Sequence, residues 1–230
     1  MTRPHDLKPA FPWEKRHILV QDRVWYVPDQ FEDFNSFVFP GWSDPLFFHD
    51  QRPICIEYCS GNGDWIAEKA QSEPGYNWVA IEKKFERVRK IWSKIKNYAL
   101  SNLLIVCGEG KRITEHYIPS KSVHAVYINF PDPWPKQRHA KHRIIQLPFI
   151  QEMHRILKTN GLLTMVTDDP NCSDWMVKIM LQAPKFQTTL PPPFYTTDNE
   201  NYGFSYFANL WKKQGKEIRH HIFAARNNPL

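Results

Sequence analysis

The sequence predicts an α/β fold, a mostly parallel sheet with helices on both faces. Three observations predict it. Five short, nearly continuous apolar runs recur between residues 54 and 166. Charged stretches of helical period separate them. Two of the chain's nine glycines fall at the turn after the first run. Apolar strands without alternation are buried on both faces, and crossover helices on a parallel sheet bury them that way.

Residues 1–50 come first and do not follow this pattern. They are rich in proline and aromatics without a sustained period: Pro9, Phe11, Pro12, Trp13, then Trp25, Tyr26, Phe31, Phe34, Phe37, Phe39 and Trp42. They read as an irregular arm that packs on the domain or on a partner, ahead of one domain at 51–230. Ile54-Cys55-Ile56 is the first strand, and 64–72 the first helix. Trp78-Val79-Ala80-Ile81 is the second strand. Residues 83–98 form a basic amphipathic helix, with seven Lys and Arg against Glu86. Leu103-Leu104-Ile105-Val106 and a helix at 110–116 follow. Then come a strand at 123–128, a helix at 144–158, Leu162-Leu163-Thr164-Met165-Val166 and a helix at 173–183. Residues 184–201, with Pro191-Pro192-Pro193, read as a loop. Residues 202–226 hold a helix and a last strand around 217–225.

Composition bounds the function. The 230 residues suffice for one sizeable domain, and nine Trp with fifteen Phe argue against disorder. A net charge of +6 permits an anionic partner without demanding one. No apolar run is long enough to span a membrane, and residues 1–16 lack the apolar core of a secretory signal. Cys55, Cys59, Cys107 and Cys172 make no C-x-x-C pair, so buried thiols in a reducing cytoplasm fit better than disulfides or zinc. No metal is expected, and the protein is expected to be cytoplasmic.

The first strand runs into Glu57-Tyr58-Cys59-Ser60-Gly61-Asn62-Gly63-Asp64. Glycines there let the backbone approach a ligand, and the next helix offers free N–H groups. Glu82 ends the second strand, 25 residues after Glu57, where an acid commonly accepts both ribose hydroxyls of an adenosine. A dinucleotide turn wants a third small residue, but Ile66 stands there. Glu57 would repel a pyrophosphate yet could meet a methionine-type ammonium. S-adenosylmethionine is therefore favoured over NAD. Glu109, after the third strand, sits where such enzymes place an acid near the adenine amine.

The sharpest element follows the fourth strand: Asn129-Phe130-Pro131-Asp132-Pro133-Trp134-Pro135-Lys136. Its prolines stiffen the loop and hold Asp132 at the carboxyl end of the sheet, where ligands bind. A basic run comes next, Lys136-Gln137-Arg138-His139-Ala140-Lys141-His142-Arg143, suited to phosphate contact. Asp168 and Asp169 follow the fifth strand. A carboxylate there could take guanine N1–H and N2–H₂, or cap the next helix.

At these residues the sequence resembles the bacterial tRNA (guanine-N7-)-methyltransferases, the TrmB family. The likeness rests on residues 130–134 with Lys136, on Arg138-His139 through Arg143, on the helix start at 146–149 and on Thr167-Asp168. It runs from about Phe34 to Phe223. The resemblance implies a Rossmann-like class I fold and methyl transfer from S-adenosylmethionine to N7 of guanine 46 in the tRNA variable loop. It implies that Glu57, Gly61, Gly63, Glu82, Glu109 and Asp132 contact the cofactor and that Asp132 is catalytic. Lys136, Asp168, Ser205 and Phe207 would meet the substrate. Arg138, His139, Lys141, His142 and Arg143 would meet the RNA. The protein would act as a monomer or homodimer.

Three positions depart from the family pattern. Cys59 replaces the first glycine of the turn, Glu109 replaces an Asp, and Ala208 replaces the Glu of a C-terminal Thr-x-Phe-Glu element, here Ser205-Tyr206-Phe207-Ala208. Cys59 is expected to be tolerable only with negative φ. Cys59 and Ala208 favour an alternative, a non-catalytic tRNA-binding protein that keeps the fold; intact Glu57, Glu82, Asp132 and Asp168 count against it. An N6-type nucleic-acid methyltransferase would want paired prolines directly after Asn129, and a dehydrogenase the third small residue of the turn.

Overall fold

The computed structural model describes residues 1–29, 37–134 and 136–226. Phe31 and Phe34 of the arm and Pro135 of the proline-rich loop lie outside the described residues. The chain divides into two compact units, Met1–Pro119 and Ser120–Leu230.

In the first unit, strands β1 (Leu19–Gln21), β2 (Val24–Val27), β3 (Ile54–Tyr58), β4 (Asn77–Glu82) and β5 (Leu103–Gly108) lie in the order β1-β2-β5-β4-β3. β2, β5, β4 and β3 run parallel, and β1 pairs antiparallel with β2. Every residue of β3 and β4 is buried, as their unbroken apolar runs require. Helix α1 (Asp64–Ser72) connects β3 to β4, α2 (Phe85–Asn97) connects β4 to β5, and α3 (Gly110–Tyr117) follows β5. α2 buries Val88, Ile91, Trp92 and Ile95, one apolar stripe at helical spacing. Register aligns the carboxyl ends: Tyr58 pairs with Ile81, Glu82 with Cys107, and Val27 with Gly108.

β1 and β2 fall inside the segment expected to be irregular. Four residues are too few to show a period, and β2 is buried throughout. Trp25 sits among Phe37, Phe39, Phe47 and Tyr117, with ring centroids 5.1 to 5.7 Å away. Arg23 fixes the hairpin by donating to the carbonyls of Phe47, Ser101 and Leu103. Those partners are 24 to 80 residues away in sequence. Tertiary contacts, rather than local pattern, make this strand.

The second unit holds β6 (Val123–Asn129), β7 (Leu157–Thr167), β8 (Phe186–Thr188) and β9 (Arg219–Ala225), in the order β6-β7-β9-β8. β6 and β7 are parallel; β9 is antiparallel to both β7 and β8. Helices α4 (Leu147–Ile156), α5 (Pro170–Met180) and α6 (Tyr206–Lys213) complete it. α5 begins three residues before the expected 173. Asp169 caps it, accepting from the Cys172 N–H at 2.7 Å, and Pro170 takes the first turn. β7 begins five residues before the expected 162. Its early part is polar, passes through left-handed Asn160 (φ 62°) and shifts register against Val123 and Ala125. β8 is a three-residue edge strand within the expected loop.

Candidate active site

In the first unit, the turn after β3 alternates into left-handed backbone three times: Cys59 (φ 61°), Gly61 (φ 56°) and Gly63 (φ 75°). The expectation of negative φ at Cys59 is thus overturned. Its neighbours hold it there. Ser60 N–H donates to Ile81 and its Oγ to the Glu57 carbonyl, while Gly63 N–H returns to Ser60. A side chain in this region costs roughly 1–2 kcal/mol. Cys59→Gly removes that strain but adds chain entropy to the unfolded state, about 0.5–1 kcal/mol the other way. Cys59→Gly is therefore expected to unfold at equal or slightly higher urea concentration. A clearly lower midpoint would contradict the strain.

Glu82 is 5% exposed and closes this turn. One carboxylate oxygen accepts from Gly61 N–H at 2.9 Å and the other from Lys84 N–H at 2.8 Å. A carboxylate has about four acceptor positions, so two remain for a diol. Glu57, at the end of β3, is 2% exposed. Glu109 caps α3, its Oε2 accepting from Arg112 N–H at 3.0 Å. No local pattern around Glu109 signals what sets it in place. Tyr58 and Thr114 hydroxyls are 2.5 Å apart, and Thr114 donates to the Gly110 carbonyl, so Tyr58 donates to Thr114. A Cβ on Gly110 would stand 3.0 Å from the Tyr58 ring, so glycine lets α3 start this close to β3.

In the second unit, the loop after β6 is tightly constrained. Phe130 (φ 46°) and Trp134 (φ 41°) are both left-handed and bracket Asp132. Strain of this kind, about 1–3 kcal/mol per residue, persists only where the surroundings over-determine it, and it clusters at functional sites. Phe130 N–H is bonded to the Val166 carbonyl at 2.9 Å. Asp132 is exposed, and its Oδ1 accepts from Trp134 N–H at 3.2 Å.

Arg143, the last member of the basic run, is bonded to the loop that carries Asp132. Its Nε donates to the Pro133 carbonyl at 3.0 Å and an Nη to the Trp134 carbonyl at 3.2 Å. Its guanidinium lies over the Trp175 ring at 4.8 Å, and Trp175 Nε1 is bonded to the Ile145 carbonyl. A planar fork is spent on the backbone beside Asp132, so Arg143 positions this loop. Lysine keeps the charge but not the fork. Arg143→Lys is therefore expected to lower turnover about tenfold while tRNA affinity and its salt dependence stay unchanged. Full turnover in Arg143→Lys would contradict the clamp.

The rest of the basic run forms a 3₁₀ turn, Gln137–His142. Lys136, Arg138, Lys141 and His142 are exposed, and His139 is half-buried. The rings of His139 and His142 lie 5.7 and 5.1 Å from Trp134. After β7 the two aspartates divide their tasks. Asp169 is the helix cap, while Asp168 Oδ2 meets Lys216 Nζ at 2.5 Å. Lys216 also sits 3.8 Å from the Trp211 ring centroid. Sequence reasoning missed Lys216, which lies 48 residues from its partner. Ser205 is buried and caps α6, accepting from Ala208 N–H at 3.3 Å. Phe207 is half-buried, its ring 6.2 Å from that of Phe130.

Comparison with known proteins places this arrangement. A family model described as "Putative methyltransferase" matches residues 51–220. A tRNA (guanine-N(7)-)-methyltransferase of Chlamydia trachomatis is 45% identical over 216 residues, 94% of this chain and 95% of that protein. One from Rubrobacter xylanophilus is 29% identical over 184 residues, 78% of this chain and 79% of its own length. Among solved structures, the 16S rRNA methyltransferase KamB matches with a TM-score of 0.56 at 13% identity, over 80% of this chain and 94% of that one. A SAM-dependent methyltransferase from Aquifex aeolicus matches at 0.52 and 14%, over 76% and 82%. These likenesses establish the Rossmann-like class I methyltransferase fold. With relatives this similar along nearly its whole length, the chain belongs to the bacterial tRNA (guanine-N7-)-methyltransferase family.

Proposed function

We propose that this chain transfers the methyl group of S-adenosylmethionine to N7 of guanine in tRNA, and that the target is guanine 46 of the variable loop. Methylation of tRNA guanine at N7 is the activity for which its relatives are named. The observation that carries the reading is Asp132, an exposed carboxylate in a loop whose strained flanks are tied down on both sides.

The donor set fits the cofactor. Glu82 keeps two acceptor positions for the ribose diol, Glu109 offers an acceptor to the adenine amine, and Glu57 places a buried negative charge for the ammonium. Gly61 and Gly63 bring backbone close without a side chain. When bound, S-adenosylmethionine supplies an electrophilic methyl group. Guanine N7 carries an in-plane lone pair and needs no deprotonation, so orientation supplies most of the rate, on the order of 7–11 kcal/mol in good cases. Methylation leaves positive charge on the purine, and Asp132 stabilises it electrostatically.

Asp168 reads guanine N1–H and N2–H₂; Lys216 uses one of its acceptor positions and leaves room for both donors. Ser205 accepts a helix N–H and keeps its own proton to donate. Phe207 packs beside the base, and Lys136 holds a phosphate or a base acceptor. Arg138, His139, Lys141 and His142 follow the RNA backbone. Arg138→Ala or Lys141→Ala is expected to weaken tRNA binding and to reduce its salt slope by roughly 1. An unchanged slope would remove that residue from phosphate contact. The reading itself is tested by incubating unmodified tRNA with labelled S-adenosylmethionine and digesting to nucleosides. Label in 7-methylguanosine supports it; label in 6-methyladenosine, or none despite tRNA binding, rejects it.

A further inference from the structure

The first unit holds a cavity of about 640 Å³ at the carboxyl ends of β2, β4 and β5, within the size range of small-molecule sites. Phe85, Gly108 and Glu109 line one side of it. Lys83, the residue after Glu82, also lines it. The other side is the N-terminal segment, with Phe11, Pro12 and Arg16, and the end of β2. This segment lies outside residues 51–220, the stretch that the family model describes.

The segment is anchored. Thr2 and Asn97 exchange hydrogen bonds at 2.7 and 2.9 Å, and Arg89 donates to the Leu7 carbonyl at 3.0 Å. Both partners are on α2. Farther along, the Phe11 ring lies 5.9 Å from that of Tyr26 on β2 and 5.0 Å from that of His17. The segment is thus held to α2 ahead of residue 9 and to β2 through Phe11, across the mouth of the strand ends. Ligands of open α/β sheets bind at that edge.

We infer that residues 9–16 form the outer wall of the adenosine end of the cofactor site, with Phe11 as its apolar contact, rather than an arm that serves only to grip RNA. The inference rests on the reading that this chain uses S-adenosylmethionine. The occupant follows from the lining. Apolar and aromatic walls suit a purine ring, and Glu109, whose carboxylate keeps free acceptor positions, suits an exocyclic amine. Glu82, one residue before the lining Lys83, suits a ribose diol. The ammonium of the methionine end belongs beside Glu57, which is not among the lining residues.

The test uses the full chain and S-adenosylhomocysteine as the probe, with calorimetry for affinity. Phe11→Ala is expected to weaken binding about tenfold and to leave tRNA affinity within twofold. Lys8→Ala, in the same segment but not lining the cavity, is expected to change neither. A second measurement needs no variant: amide hydrogen exchange of residues 9–16 in the wild-type protein. Exchange is expected to slow several-fold with S-adenosylhomocysteine or with adenosine alone, but not with methionine alone. Equal probe affinity in Phe11→Ala, or exchange that adenosine leaves unchanged, would overturn the wall. Wild-type protein that fails to bind the probe at all would instead overturn the cofactor reading beneath it.

Discussion

Asp132→Ala should lower methyl transfer by about 10²–10³-fold, the usual loss when an oriented group facing developing charge is removed. Its tRNA affinity should change less than about twofold, because one exposed carboxylate adds nothing to phosphate binding. Positive charge appears on the purine only as the methyl arrives, so the carboxylate acts on the transition state more than on the bound substrate. Pro131 and Pro133 remain in the variant, as do the Arg143 fork and the bond from Phe130 N–H to Val166, so the loop keeps its path. The Asp132 Oδ1 contact to Trp134 N–H is the bond that is lost. Asp132→Asn keeps an acceptor there and removes the charge. It should lose nearly as much activity as the alanine variant. Single-turnover transfer and filter binding separate the two quantities. Full activity in Asp132→Asn would show that orientation, not charge, is what Asp132 supplies. Full activity in Asp132→Ala would remove it from the mechanism.

Mild acid should destabilise the protein strongly through two adjacent histidines on β9. His220 and His221 are 3% and 0% exposed. Burial pushes each from the usual 6.5 to about 4; Lys212 adds to the effect at His220, and the Phe194 carbonyl opposes it at His221. His221 is hydrogen-bonded to Ser173 and to that carbonyl, and His220 packs edge-on to Tyr202. His220 Nδ1 finds no hydrogen-bond partner among the described residues. Because the folded-state values are depressed, the unfolded chain takes up protons first as pH falls. Stability is intact above about 6.5 and is lost as pH falls from there through about 4. The loss should be about 2–3 kcal/mol per histidine by pH 4.5, since each pKa unit is worth 1.36 kcal/mol. Urea unfolding at pH 7.5 and pH 4.5 measures it. His220→Phe fills the same space without titrating and should remove about half of the pH dependence. An unchanged dependence would mean that carboxylates, not these histidines, set acid lability.

The strands that carry the residues proposed to hold the cofactor were legible because each is a continuous apolar run closed by a charged or glycine-containing turn. Glu57 and Glu82 close β3 and β4 and Glu109 follows β5, so spacing alone put them at one sheet edge. Asp132 and Asp168 were legible for the same reason, and the register pairing Asn129 with Val166 places both just beyond neighbouring strand ends. What sequence could not show is how long-range partners use a residue. Arg143 looked like the last member of a basic run, and only its two carbonyl partners reveal a loop clamp. Lys216 has no local signal, because its role is defined by Asp168. Cys59 shows the opposite limit. Its residue type argued for negative φ, yet bonds from the two residues that follow it, Ser60 to Ile81 and Gly61 to Glu82, impose the left-handed turn. β2 escaped notice because Trp25 reads as one more aromatic in an aperiodic arm until Phe37, Phe39, Phe47 and Tyr117 surround it.

The most direct test of the proposed activity compares two unmodified transcripts of one tRNA, identical except that guanine 46 is replaced by adenine in the second. Each is incubated with the protein and labelled S-adenosylmethionine, and the methylated base is identified and mapped. Label is expected as 7-methylguanosine at position 46 of the first tRNA and to be absent from the second. Equal labelling of both, or a methyl group at any other atom or position, would contradict the proposed target.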